Sequence, residues 1–157
     1  MTVVAVAQTQ TTKSSSWNGA PQKEVHYDNQ GNLTRDGNGT TYEPGNGTLS
    51  FPMTVGKSWN FHHVRRFTVG TIDVSGHDEI VAFDRVQVLA GSFDVDRIVS
   101  HGVNATQPGR LYDAPFTETC WYAPGVRKVI KSDYALYLDH QALLTRTPEL
   151  SAFSLAP

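Results

Sequence analysis

The sequence predicts a mainly β protein: one curved antiparallel sheet that closes part-way into a barrel or, alternatively, forms a β-sandwich, with little helix. Turn-forming clusters recur roughly every 8–15 residues, and the runs between them alternate apolar and polar residues at period two. No stretch, the tail 139–157 included, sustains an amphipathic helical period, although that tail has room for one helical turn. The runs 59–74 and 126–138 are long, and long twisted sheets curl, which favours the partial barrel.

Residues 25–34 place strand formers on either side of Asp28-Asn-Gln-Gly-Asn32, residues that accept positive φ in tight turns, and so predict a β-hairpin. Two further turn clusters, Asp36-Gly-Asn-Gly39 and Pro44-Gly-Asn-Gly47, leave space for only a very short strand at Thr40-Thr-Tyr42. Pro52 marks 49–59 as an edge segment leading into a long strand from Trp59, in which Trp59, Phe61, His63, Arg65, Phe67 and Val69 share one face. Gly70 permits a bulge or bend, and Ser75-Gly-His-Asp78 is expected to turn the chain. Residues 79–99 and 116–138 form the two clearest hairpins, reversing at Ala90-Gly-Ser92 and Ala123-Pro-Gly125. Within 93–100 neither face is purely apolar, so packing on both faces is expected. Gly102, Pro108, Gly109 and Pro115 mark 101–115 as a long crossing loop, a candidate variable surface.

One domain suits 157 residues, divided into a flexible N-terminal segment, 1–20, and a single β domain, 21–157. The charged share, 18%, lies below the usual ~25%. A net charge of −2 gives no field to attract a phosphate backbone, so no nucleic-acid partner is expected. Cys120 stands alone, which excludes an intramolecular disulfide and a cysteine-based metal cluster. No apolar run approaches the ~18 residues of a helical membrane span. The polar segment Gln8–Ser16 reads either as an exported N-terminus from which a leader has been replaced by Met1, which points to the periplasm or cell surface, or as an ordinary frayed cytosolic terminus.

Chemistry-bearing residues are scattered. His62 and His63 are strand neighbours that point to opposite faces and cannot share a metal, so a site needs one of them with His77, His101 or His140. Asp94 and Asp96 share a strand face at a spacing of ~7 Å, suited to acid–base work or to a solvated face paired with Arg85 or Arg97. The Asp/Asn/Gly clusters at 28–39 are rich in oxygen ligands but lack the closing acid of a calcium loop. Asn-Gly-Thr triplets read as turn chemistry as readily as glycosylation signals. Neither a Gly-x-Ser-x-Gly elbow nor a nucleotide-binding loop occurs.

Three phrases carry a resemblance: Leu49-Ser-Phe-Pro-Met-Thr-Val-Gly-Lys-Ser-Trp59, Val88-Leu-Ala-Gly-Ser-Phe-Asp-Val-Asp-Arg-Ile98 and Trp121-Tyr-Ala-Pro-Gly-Val-Arg-Lys-Val-Ile-Lys131. Together they resemble uncharacterised bacterial exported proteins similar to TapB-like domains of unknown function, in which a Gly-Lys-x-Trp segment precedes two hairpins. The resemblance, over about residues 49–134, implies an envelope location and a β fold and brings no catalytic residue. Arg127 departs from it, standing where such proteins often carry a small residue or glycine, and the 101–115 segment has no counterpart.

The expected function is a non-enzymatic module binding a small hydrophobic ligand or an envelope component. Trp59, Phe61, Trp121 and Tyr122 are its candidate ligand-binding residues, and no catalytic residue, metal or cofactor is assigned. One alternative is a metal-dependent or carboxylate-based hydrolase using His63, His101, Asp94 or Asp96. Another is a scaffold component of an envelope assembly.

Overall fold

The computed structural model describes residues 2–7, 10–15, 21, 23–107 and 113–152, with backbone alone at 2–7, 10–15, 106 and 107. Among the described residues, eleven antiparallel strands follow one another in a meander, each hydrogen-bonded to the next in sequence. They are β1 (Thr2–Ala7), β2 (Gln10–Ser15), β3 (Lys23–Asp28), β4 (Leu33–Arg35), β5 (Thr41–Glu43), β6 (Ser58–Phe67), β7 (Gly70–Val88), β8 (Gly91–Gln107), β9 (Asp113–Ala123), β10 (Lys128–Leu138) and β11 (Gln141–Arg146). The sheet curls into an open half-barrel, the curved antiparallel sheet expected from the sequence. β1 and β2 extend its edge at β3. Residues 1, 8–9 and 16–20 of the expected flexible segment lie outside the described residues.

Turn chemistry sets the early hairpins. Asp28 Oδ1 accepts the backbone N–H groups of Gln30 and Asn32, and Asp36 Oδ1 those of Asn38 and Thr40. These are Asx turns, and they engage the carboxylates that resembled calcium ligands. Asn32 then reaches the 44–57 connection: its Oδ1 accepts Leu49 N–H at 2.7 Å and its Nδ2 donates to Leu49 C=O at 3.1 Å. One amide thus pairs with Leu49 as a strand residue would.

The Gly-Lys-x-Trp segment fixes the other end of that connection. Gly56, at φ +89°, donates to Ile80 C=O, Lys57 Nζ donates to the carbonyls of Ser50 and Pro52, and Trp59 Nε1 donates to Gly47 C=O. Leu49 and Met53 are thereby held over Ile80, Ile98, Cys120 and Tyr122, a core cluster on the concave face. Strand pairing begins only at Ser58, so 49–57 forms a cover over the sheet in place of the expected edge segment.

A second core cluster, Val88, Val95, Ala123 and Ile130, lies on the opposite face. Neighbouring strand residues point to opposite sides, so Tyr122 belongs to the first cluster and Trp121 and Ala123 to the second. A bulge between Ile80 and Ala82 flips the facing of β7 at this level, and a second, between Val129 and Lys131, does so on β10. The tail closes over this cluster: Leu150 packs on it, donates to Ile130 C=O and accepts from Ala90 N–H. Packing on both faces, expected from the mixed 93–100 run, is therefore observed.

Three expectations are corrected. Ser75-Gly-His-Asp78 is the middle of the 19-residue β7, not a turn. Most of the expected 101–115 loop is strand: β8 runs to Gln107, β9 starts at Asp113, and Pro115 pairs with Val103. Residues 108–112 lie outside the described residues. Both errors have one cause, because Gly76 and Gly102 face each other across β7 and β8 for steric reasons and neither ends a strand. The tail supplies β11 in place of a helical turn, reversing at Asp139-His140, both at positive φ (48° and 63°), as a two-residue hairpin loop requires. At Gly70 the chain reverses fully through Thr68-Val69.

Candidate concave binding groove

Pairing registers arrange the concave face in rows that run across the strands. One row is Trp59, Asp78, Ser100, Glu118, Tyr134 and Arg146, from β6 to β11. The next is Phe61, Gly76, Gly102, Phe116, Leu136 and Leu144. A third holds His63, Val74, Asn104 and Ala114. The middle row explains the glycines. A Cβ on Gly76 would stand 2.6 Å from Phe61 Cζ and 2.5 Å from His101 C=O, and one on Gly102 would stand 2.5 Å from Phe116 Cζ. The two rings therefore lie down on bare backbone, with centroids 6.5 Å apart. Aromatic cover of cross-strand glycines makes a low saddle where ordinary side chains would fill the curl.

Above the saddle is a cavity of about 320 Å³, lined by Phe61, His63, Arg65, Val74, Asp78, Asn104, Phe116, Glu118, Tyr134, Leu136, Arg146 and neighbours from the 33–48 region. That volume lies in the ~300–1,000 Å³ range of small-molecule sites. Apolar surface occupies the middle, and polar groups stand at both ends.

The acidic end carries strongly perturbed groups. Asp78 is 1% exposed; burial raises its carboxyl to about 7 against the lowering effect of a hydrogen bond from Ser100, and nearby Glu118 adds to the rise. Its Oδ1 has no hydrogen-bond partner among the described residues. Burial also raises Glu118, opposed by hydrogen bonds with Cys120 and Ser132. Near neutrality a half-protonated acid such as Asp78 can donate or accept a hydrogen bond. Ser100 is engaged by Asp78, and the Cys120 thiol is pushed well above its usual range, chiefly by burial, so neither is activated as a nucleophile.

His63, Arg65 and Tyr42 stand across the saddle from Asp78, while Tyr134 and Arg146 share the Asp78–Glu118 row. His63, 5% exposed, is held neutral: burial and then Arg65 lower it to about 4. Its ring lies against Tyr42 and Phe61, and Nδ1 has no hydrogen-bond partner among the described residues. Tyr42 is pushed up to about 12 by burial and then by Asp36, which its hydroxyl meets at 3.4 Å. Asn104 Nδ2 donates to Tyr134 Oη at 3.2 Å, and the Tyr134 ring stacks on Phe116.

The four residues expected to bind ligand do not form one site. Phe61 lines the groove. Trp59 and Tyr122 share its face but belong to the packed core under the 49–57 cover, Tyr122 meeting Phe51 edge-on. Trp121 is on the other face, under Lys131 Nζ at 4.8 Å from the ring centroid. The residues of the alternative hydrolase are also separated. His63 faces inward, while His77 and His101 pair on the outer face, where His77 Nδ1 meets Asn60 Oδ1 at 2.8 Å. His62, also exposed, lies 3.6 Å from Asp73. Asp94 forms an exposed ion pair with Arg85 at 3.0 Å, Asp96 is buried, and Arg97 pairs with Asp84. No group of three or more metal-ligating side chains occurs among the described residues.

Sequence reasoning passed over Asp78, Ser100, Phe116, Glu118, Tyr134 and Arg146. The available signal was the alternation of Ile72, Val74, Asp78 and Ile80, which continues through Gly76 without a break in phase. No family model, curated protein or solved structure matches the chain. No helix among the described residues is long and apolar enough to cross a membrane.

Proposed function

We propose that the chain is a non-enzymatic binding module of the cell envelope whose concave sheet face takes a small, largely apolar ligand. The observation that carries this reading is the saddle: Gly76 and Gly102 remove the side chains that would fill the curl, while Phe61 and Phe116 give it an aromatic floor. Keeping a curl open forgoes the stabilisation of a filled core, roughly 1.5–3 kcal/mol for each large apolar side chain. Such a sacrifice is understandable where the space has a use. The envelope placement rests on the polar N-terminal segment and on the likeness to exported β-rich proteins.

Titration of the protein with an environment-sensitive apolar dye, followed by displacement with a panel of alkyl compounds, tests the reading. The expected outcome is saturable binding that is lost in Leu136→Trp, where an indole on the saddle row fills the groove. Absence of dye and alkyl binding by the folded wild type would sink the proposal.

A further inference from the structure

Arg65 on β6 and Arg146 on β11 stand five strand spacings apart in the sheet, yet line the same cavity. Tyr42 is the cross-strand neighbour of Arg65 and Tyr134 that of Arg146, and both guanidinium groups act electrostatically on both phenols. Three other arginines of this sheet pair with carboxylates: Arg66 with Glu43 at 3.6 Å, Arg85 with Asp94 at 3.0 Å and Arg97 with Asp84 at 3.2 Å. Arg65 and Arg146 form no ion pair among the described residues. The acids nearest them are otherwise engaged. Asp36 holds the Asn38 and Thr40 amides, and Glu118 is hydrogen-bonded with Cys120 and Ser132 at the acidic end. Tyr134 Oη accepts from Asn104, which leaves its own proton to give.

Two cations and a phenolic donor converge beside an apolar saddle. From Phe61 on β6 to Leu136 on β10 that saddle crosses four strand spacings, about 19 Å of arc at ~4.8 Å each. On the basis of the binding reading above, we infer that the groove takes an anionic amphiphile: a single apolar chain lying on the Phe61–Phe116 saddle, its carboxylate head group held by Arg65, Arg146 and the Tyr134 hydroxyl. Guanidinium groups suit this task because their planar donors meet a carboxylate in pairs. The curl also brings the two arginines together only when β11 is in place, so the head-group site depends on closure of the half-barrel.

Calorimetric titration of the full chain with dodecanoate, dodecanol and dodecylamine, each below its micelle concentration and at one pH and salt, provides the test. Dodecanoate is expected to bind about tenfold or more tightly than dodecanol, a gap of ~1.4 kcal/mol. The preference should collapse in the doubly substituted Arg65→Gln/Arg146→Gln protein with dodecanol affinity unchanged, and should persist in Arg66→Gln. Equal binding of acid and alcohol by the wild type, or a preference that survives the double substitution, overturns the head-group assignment and leaves the groove reading standing. Dodecylamine binding most tightly would place the head group at Asp78 and Glu118 and likewise overturn it. If none of the three binds, the groove reading itself falls. Arg146→Gln alone, an exposed change on an edge strand, should give part of the loss if the double variant does not fold.

Discussion

Asp78 and His63 are buried on the same face and titrate in opposite senses. The Asp78 carboxyl is raised from 3.8 to about 7, so between those values the folded state holds more protons than the unfolded state and stability falls as pH rises. His63 is lowered from 6.5 to about 4, so between pH 4 and 6.5 the unfolded state holds more protons and stability rises with pH. When complete the Asp78 effect is of order 4 kcal/mol and the His63 effect of order 3 kcal/mol, and in the shared window they offset one another. Urea denaturation from pH 4 to 8 is expected to separate them. Asp78→Asn should gain stability relative to wild type above pH 7 and show a slope that rises from pH 4 to 6.5. His63→Gln should show stability falling from pH 4 to 7. Parallel profiles for all three proteins would refute this account. None of this was legible in the sequence, where Asp78 reads as a turn residue and His63 as one of two adjacent imidazoles.

At the scale of elements, the glycines in β7 and β8 and the cover at 49–57 decide the shape of the groove. Gly76→Ala has no φ penalty but places a methyl group within 3 Å of His101 C=O, Phe61 and Gly102. It should destabilise by about 1–3 kcal/mol, the usual cost of overpacking. At Gly102 the obstruction includes the Phe116 ring, so Phe116→Leu should recover part of the loss in a double-mutant cycle. Additive losses would show that ring and glycine are not coupled. For the cover, Asn32→Ala leaves Leu49 N–H and C=O without their buried partner and should cost about 1–3 kcal/mol in denaturant unfolding. Arg127, in the 123–128 reversal, adopts φ +50°, where glycine is favoured.

For the molecule as a whole, a meander of neighbours in sequence makes a half-barrel without crossing connections, and its two faces are covered differently. The concave face is covered by the 44–57 connection over Ile80 and Tyr122, the opposite face by Leu150 over Val95 and Ile130. Leu150→Ala removes the tail's half-buried anchor and should lower stability by about 1–2 kcal/mol, less than a fully buried leucine would. It should also speed hydrogen exchange at Ala90 N–H, which Leu150 C=O accepts. Unchanged exchange there would show that the roll closes without the tail.

The sequence by itself determined the antiparallel β class and the reversals at 28–32, Ala90-Gly-Ser92 and Ala123-Pro-Gly125, because turn residues such as Asp28, Asp36 and Gly125 act within a few residues and alternation is read along one strand. The order of pairing and the extents of β7, β8 and β11 were not legible there. It also determined that His62 and His63 part to opposite faces, since neighbouring strand residues always do. Only the tertiary structure decided which residues meet on the concave face. The Phe61–Gly76–Gly102–Phe116 row joins four strands over 55 positions of chain. A glycine that makes room for a ring on the next strand looks, in one dimension, like a glycine that ends a strand. Arg65 and Arg146 lie farther apart still, and their meeting depends on a curvature that arises from bulges and strand twist and leaves no local mark in the sequence.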